Sequence, residues 1–179
     1  MGMPDQAVFL FKEQKSLLDF TGGMGLVHLQ LIAFADKQNG VQTFSLMDKK
    51  YVSDLSKEKI NERSKNFFKT LVQAEGTKKI AGYECKKMKG TLMNGTTVEV
   101  WYAPELGGEN LNWCTPYSEV KGALMEYVLQ DANGPLTKLT ASEVNIAVVS
   151  DADFSVPGDF QKISIDEQET ILKELYPTK

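Results

Sequence analysis

Catalysis at neutral pH needs nucleophiles, bases or metal ions at close quarters, and this 179-residue chain offers few of them. Its one histidine, His28, lies between Val27 and Leu29 in a strand-like run. Any His-based dyad or triad would have to be built on it. No serine near it in sequence sits in a Gly-x-Ser-x-Gly turn, the strained strand-to-helix corner that exposes a nucleophile. His28 therefore reads as a structural strand residue, and a hydrolase built on it is the weakest of three functional readings. A single histidine excludes a multi-histidine metal site, and Cys85 and Cys114 lack Cys-x-x-Cys spacing. Those two cysteines can form one disulfide in an oxidising compartment, or stay as two partly buried thiols in a reducing one. Both alternatives remain open, with the free thiols favoured.

Gly22-Gly23-Met24-Gly25 has the composition of a phosphate loop without its context. The glycines precede a strand instead of opening a helix, no Gly-Lys-Ser/Thr follows, and a turn is the better reading. Asp151, Asp153 and Asp159 surround Phe154 and Pro157. They lack the fixed ligand spacing and closing Glu of a calcium loop, and Asp is common in turns because its side chain bonds its own backbone. Glu126, in Met125-Glu126-Tyr127, alternates outward from a strand as a solvated carboxylate. The residues supply no catalytic group, no metal ligand set and no cofactor motif, so the chain reads as no enzyme.

Bulk properties narrow the class further. A chain of this length fits one domain, 1–179, and buries enough surface to fold without staples. Net charge is −4 and the basic residues are scattered, so no electrostatic footprint for nucleic acid is present. The longest apolar run, Leu26 to Ala35, is interrupted by His28 and Gln30, far short of the roughly 20 residues of a transmembrane helix. The N-terminus has no charged region followed by an apolar core and a cleavage site. Read literally, that absence places the protein in the cytoplasm. The opening Met-Gly-Met-Pro also suits a chain whose export signal has been trimmed away.

The elements that would position these residues are mostly strands. Asn39-Gly40, Asn94-Gly95 and Asn133-Gly134 each separate runs rich in β-branched and aromatic residues, the strongest short-range signal for a hairpin. Around Asn94-Gly95 a three-residue loop, Met93-Asn94-Gly95, places Lys89 opposite Glu99, Lys87 opposite Trp101, Met88 opposite Val100 and Gly90 opposite Val98. That register gives one apolar face and one opposite-charge pair, and puts Gly95 at a left-handed bulge position. Other strands are expected at Val8–Phe11, Ser16–Phe20, Leu26–Ala35, Val41–Met47, Lys49–Val52, Gly122–Gln130 and Leu136–Val149, the last with alternating Val144, Ile146 and Val148. Two amphipathic helices complete the pattern. Ser56–Ala74 carries an apolar stripe of Ile60, Phe67, Phe68, Leu71 and Val72, and Gly76 is its stop. Ile165–Tyr176 opens on a Ser164/Glu167 capping box and ends before Pro177. The expected fold is α+β but mostly β: a strongly curved antiparallel sheet, an open half-barrel, with one helix on its concave face and a second at the C-terminus.

Lys79-Ile80-Ala81-Gly82-Tyr83-Glu84-Cys85-Lys86-Lys87, then Glu99-Val100-Trp101-Tyr102, then Glu126-Tyr127 and Asp153-Phe154-x-x-Pro157-x-x-Phe160 form a recognisable order. Across residues 76 to 163 it resembles a family of uncharacterised exported bacterial proteins grouped with the outer-membrane lipoprotein carriers LolA and LolB. The resemblance implies a half-barrel and residence in the periplasm or outer envelope. It also implies, as the leading function, a non-enzymatic carrier of a lipid or other hydrophobic ligand. Tyr83, Trp101, Trp113 and Tyr127, with Phe67 and Phe68 of the helix, are the candidate lining of the hollow, with ordinary core and sheet-surface packing the favoured alternative for the aromatics. The rival reading is an interaction module with a plugged hollow, acting on other envelope proteins through its outer surface.

Overall fold

The computed structural model describes residues 4–22, 24–108, 110–130 and 136–175. They divide into two compact units, Met1–Lys57 with Val149–Lys179 and Glu58–Val148, each holding its own sheet.

In the first unit β1 (Pro4–Lys12), β2 (Lys15–Gly22), β3 (Val27–Phe34), β4 (Asn39–Leu46) and β5 (Lys49–Leu55) form an antiparallel meander. The late two-residue strand β11 (Gln161–Lys162) adds to β5 in parallel. Leu17 and Ile32 face each other across β2 and β3 and meet Phe154 from the short 3-10 turn Asp151–Phe154, making a small core. Helix α2 (Ile165–Leu175) starts where the Ser164 hydroxyl accepts the Glu167 N–H at 3.2 Å, half of the expected capping box. It lies on the β4–β5 side: Ser53 Oγ donates to the Ser164 carbonyl and Gln42 Nε2 to Gln168 Oε1, both at 3.3 Å.

In the second unit, helix α1 (Lys57–Lys65) leads into β6 (Phe68–Ile80), β7 (Tyr83–Leu92), β8 (Thr97–Ala103), β9 (Ala123–Gln130) and β10 (Leu136–Thr140), again an antiparallel meander. Its core joins Met88, Val100 and Tyr102 on the sheet to Tyr117 and Val120 from the 104–122 loop. Asn112, only 2% exposed, ties that loop: its amide donates to the carbonyls of Val120 at 2.8 Å and Gly122 at 2.9 Å. Both donors of a buried amide are thereby satisfied.

The single curved half-barrel does not form. The strands divide between a six-stranded and a five-stranded sheet, neither closed nor strongly curled, and among the described residues no helix lies in a concave hollow. The physical reason lies at 57–80. The helix ends at Lys65, and Phe67, Phe68, Leu71 and Val72 fall in a turn and in β6. Two bulges, between Phe68 and Thr70 and between Ala74 and Thr77, break the two-residue alternation of β6, so its apolar residues mimic a helical period. Gly76 is no helix stop; at φ +124° it sits in the second bulge, where glycine relieves the strain.

The β7–β8 hairpin has the expected register, with Lys89 opposite Glu99 and Met88 opposite Val100. Gly95, at φ +87°, donates its N–H to the Leu92 carbonyl at the end of a three-residue loop. Asn39-Gly40, in contrast, opens β4 after a 35–38 turn whose left-handed residue is Gln38. Asn133-Gly134, Tyr176 and Pro177 lie outside the described residues. The expected Leu136–Val149 strand ends at Thr140, and Ile146 and Val148 point into solvent, 87% and 101% exposed.

Gly122 couples the loop to the sheet most tightly. At φ +136° an added Cβ would stand 2.4 Å from the Ala103 carbonyl oxygen. Gly122→Ala is expected to lower the unfolding free energy by about 2–3 kcal/mol, read as a drop in the urea midpoint at unchanged m-value.

Candidate functional site

The β8–β9 ladder runs from Ala103↔Ala123 through a bulge to Trp101↔Glu126 and goes no further among the described residues. Beyond it, Val128 needs other partners for its backbone. Tyr117 supplies both: its hydroxyl donates to the Val128 carbonyl at 2.5 Å and accepts the Val128 N–H at 3.1 Å. The ring is fully buried, and burial pushes its pKa far above the ordinary tyrosine range. With the strands parted, a cavity of about 280 Å³ opens between Val98 and Glu99 of β8, Glu126 and Val128 of β9, and Leu136 and Lys138 of β10.

Charge is concentrated on this cavity's wall. Glu126, with a side chain 10% exposed, takes Lys78 at 3.0 Å and Lys138 at 2.9 Å on one oxygen, and the Thr140 hydroxyl at 3.4 Å on the other. Desolvation raises its pKa, but the bonds and charges of Lys138 and Lys78 outweigh it and hold the carboxyl below its usual range. Lys87 bonds Glu99 and lowers that carboxyl too, with a further contribution from the Trp101 indole N–H. The indole makes no hydrogen bond of ordinary geometry, so its effect on Glu99 is that of a nearby dipole. Trp101 lies beneath both cations, its ring centroid 4.4 Å from Lys78 Nζ and 5.5 Å from Lys87 Nζ, within cation–π range. With both carboxyls ionised at neutral pH, the wall offers anionic acceptors at Glu99 and Glu126 and an ammonium donor at Lys138, while the buried Trp101 ring backs Lys78 and Lys87. That set suits hydrogen bonding to a polyhydroxylated ligand and does not suit proton donation.

In the first unit, His28 Nε2 meets Asp19 Oδ1 at 2.5 Å. Gln30 Nε2 donates to Asp19 Oδ2 at 2.8 Å, and Thr43 Oγ1 donates to Gln30 Oε1 at 3.3 Å. These residues form one polar row across β2, β3 and β4. Among the described residues no nucleophile bonds to His28, which leaves the histidine-based hydrolase without its third member.

The six proposed lining residues do not surround one hollow. Phe67, Phe68 and Tyr127 gather around Tyr117 at centroid distances of 5.2–6.0 Å, with Phe67 and Phe68 4.8 Å apart, mostly edge to face, as aromatic cores prefer. Trp101 belongs to the charged wall, Trp113 to the 104–122 loop, and Tyr83 to the first position of β7. Cys85 and Cys114 are both free thiols. Burial raises the first and pushes the second up to about 12, so both stay protonated and unreactive. Asp151 pairs with Lys12 and Lys15, Asp159 with Lys50, and Asp153 accepts the Ser150 N–H. No cluster able to hold a metal occurs among the described residues, and no helix there is long and apolar enough to cross a membrane. Sequence reasoning missed Lys78 and Lys138 and took the nearly buried Glu126 for a solvated carboxylate; the hairpin register that sets Lys87 opposite Trp101 was the signal that pointed toward the wall.

A family model described as the N-terminal domain of N-glycanase peptide matches residues 30–112. Two solved structures share the fold over nearly the whole chain: PNGF-II in the P21 space group and PNGF-II in the C2 space group. The first has 17% identity and a TM-score of 0.60, covering 94% of this chain and 30% of that one. The second has 14% identity and a TM-score of 0.52, covering 93% and 31%. The chain thus spans about 30% of the length of these structures. No curated protein sequence matches it. These findings replace the LolA and LolB kinship, and the lipid-carrier and plugged-hollow readings lose the half-barrel on which both depended. The expectation of a non-enzymatic protein is contradicted as well, since the matching model is the N-terminal domain of an N-glycanase, and of the three functional readings the hydrolase fits these findings better than the carrier.

Tyr117→Phe keeps the packed ring and strips the Val128 N–H and carbonyl of their partner. A loss of about 2–4 kcal/mol is expected from two buried backbone groups left unsatisfied, measured by urea denaturation. Glu126 has a pKa below its unfolded value, so its contribution to stability is fully present above the unfolded carboxylate pKa and fades as pH falls through the folded one. Thermal midpoints from pH 7 to pH 3 should fall less steeply for Glu126→Gln than for the native chain.

Proposed function

We propose that this chain serves the cleavage of N-linked glycans as the N-terminal domain of an N-glycanase-like hydrolase, and that the charged wall of the second unit contacts the sugar. The observation that carries this reading is the family match over residues 30–112, which takes in Lys78, Lys87, Glu99 and Trp101. The fold shared with PNGF-II and the wall's chemistry support it. Sugar recognition draws on carboxylate acceptors and ammonium donors, and both meet at Glu126, Lys78 and Lys138, with the Trp101 ring packed beneath Lys78 as their support.

The test is two-dimensional amide NMR of the chain titrated with an N-glycosylated peptide, using the same peptide stripped of its sugar as control. Shifts confined to β8, β9 and β10, seen with the glycopeptide and absent in Glu126→Ala, are the expected result. Identical spectra with both peptides at millimolar concentration, together with no glycan release, would sink the proposal.

A further inference from the structure

Helix α2 meets the first sheet differently along its length. Its start is pinned at the ladder pair Gln42↔Ser53, through Ser53 Oγ to the Ser164 carbonyl and Gln42 Nε2 to Gln168 Oε1. One helical turn further on, a cavity of about 250 Å³ opens over the next two ladder pairs, Phe44↔Tyr51 and Leu46↔Lys49. Ile171 and Glu174 line it from the helix. All six residues belong to the first unit.

The lining is graded from apolar to charged. Phe44 is fully buried, Leu46, Tyr51 and Ile171 are half-buried, and Lys49 and Glu174 are exposed. The floor is therefore aromatic and aliphatic, while the rim carries a cation from the sheet and an anion from the helix. Among the described residues no ion pair engages either rim charge. A preformed apolar cavity of roughly 150 Å³ holds a benzene molecule, so this one takes an aromatic ring with a short polar head. It falls below the roughly 300–1,000 Å³ of sites for drug-sized ligands.

The geometry points to a binding site for a free aromatic amino acid. Its ring packs against Phe44, Tyr51 and Ile171, its α-carboxylate pairs with Lys49 and its α-ammonium with Glu174. A free amino acid carries both charges on one carbon, a methylene away from its ring, and so answers both sides of the rim at once. The same residue inside a peptide carries neither charge. This site lies in the other unit from the wall proposed to contact sugar and does not rest on that reading.

Amide NMR of the full chain titrated with L-phenylalanine to about 20 mM tests this, with L-alanine, N-acetylphenylalanine and phenylalaninamide as controls. The expected result is a set of shifts at residues 44–51 and 168–174 with a Kd of about 1 mM, absent with alanine. Blocking either charge of the ligand should weaken binding about three- to fivefold, the scale of an exposed ion pair. Glu174→Gln should weaken phenylalanine by that factor and leave N-acetylphenylalanine unchanged. Lys49→Gln should do the same and leave phenylalaninamide unchanged. Both substitutions fall at exposed positions, and circular dichroism confirms that the variants fold. No shifts with phenylalanine at the highest concentration, shifts centred elsewhere, or blocked derivatives that bind as tightly as the free amino acid would each overturn the inference.

Discussion

The second unit depends on one substitution of partners: a phenol stands in for a strand. Where β8 leaves β9, the Val128 peptide would be buried with nothing to bond, a cost comparable to losing two hydrogen bonds at once. The Tyr117 hydroxyl, donor and acceptor in one atom, closes both valences. Its ring fills the space under Phe67, Phe68 and Tyr127, so the same side chain ends the ladder and seeds the core. Asn112 and Gly122 hold the 104–122 loop in the path that brings Tyr117 there. The cavity exists because the ladder stops early, and the ladder can stop early because Tyr117 is present.

The charge arrangement follows from that opening. An ionised Glu126 on a closed sheet face would be buried without compensation. At the parted strands it is reached by Lys78 and Lys138 from opposite sides, and their joint attraction exceeds the desolvation they cause. Trp101 sits under two lysines, which shield its face while their ammonium groups reach Glu126 and Glu99. The result is a wall whose charges are fixed in place by one another, a form of preorganisation that lowers the ordering cost of binding.

Much of the secondary structure was legible in the chain, because local signals such as the Met93-Asn94-Gly95 loop and the Ser164 cap are set by neighbours in sequence. The error came where a bulge altered the period. Phe67, Phe68, Leu71 and Val72 fit a helical stripe as well as they fit a twice-bulged strand, and only pairing with β7 decides between them. That one misreading joined two meanders into a single curved sheet, whereas the kinship with lipoprotein carriers rested on the residue order from Lys79 to Phe160 and was overturned by the comparisons. The wall around Glu126 was hidden for a related reason: Lys78, Trp101 and Lys138 come together only through non-local strand pairing, and no spacing along the chain records it.

The two units are not built from the chain in the same way. Residues Glu58–Val148 are contiguous, whereas the first unit takes its five leading strands from the beginning of the chain and β11, α2 and Phe154 from its end. During synthesis the second sheet therefore has every part it requires while the first still waits on the last thirty-one residues to emerge. Until then the Leu17 and Ile32 side chains lack Phe154 as their cover, and the newborn meander is the segment most in need of a chaperone's attention. A chain that has emerged only as far as Val148 would hold one sheet with all its strands and one still without β11.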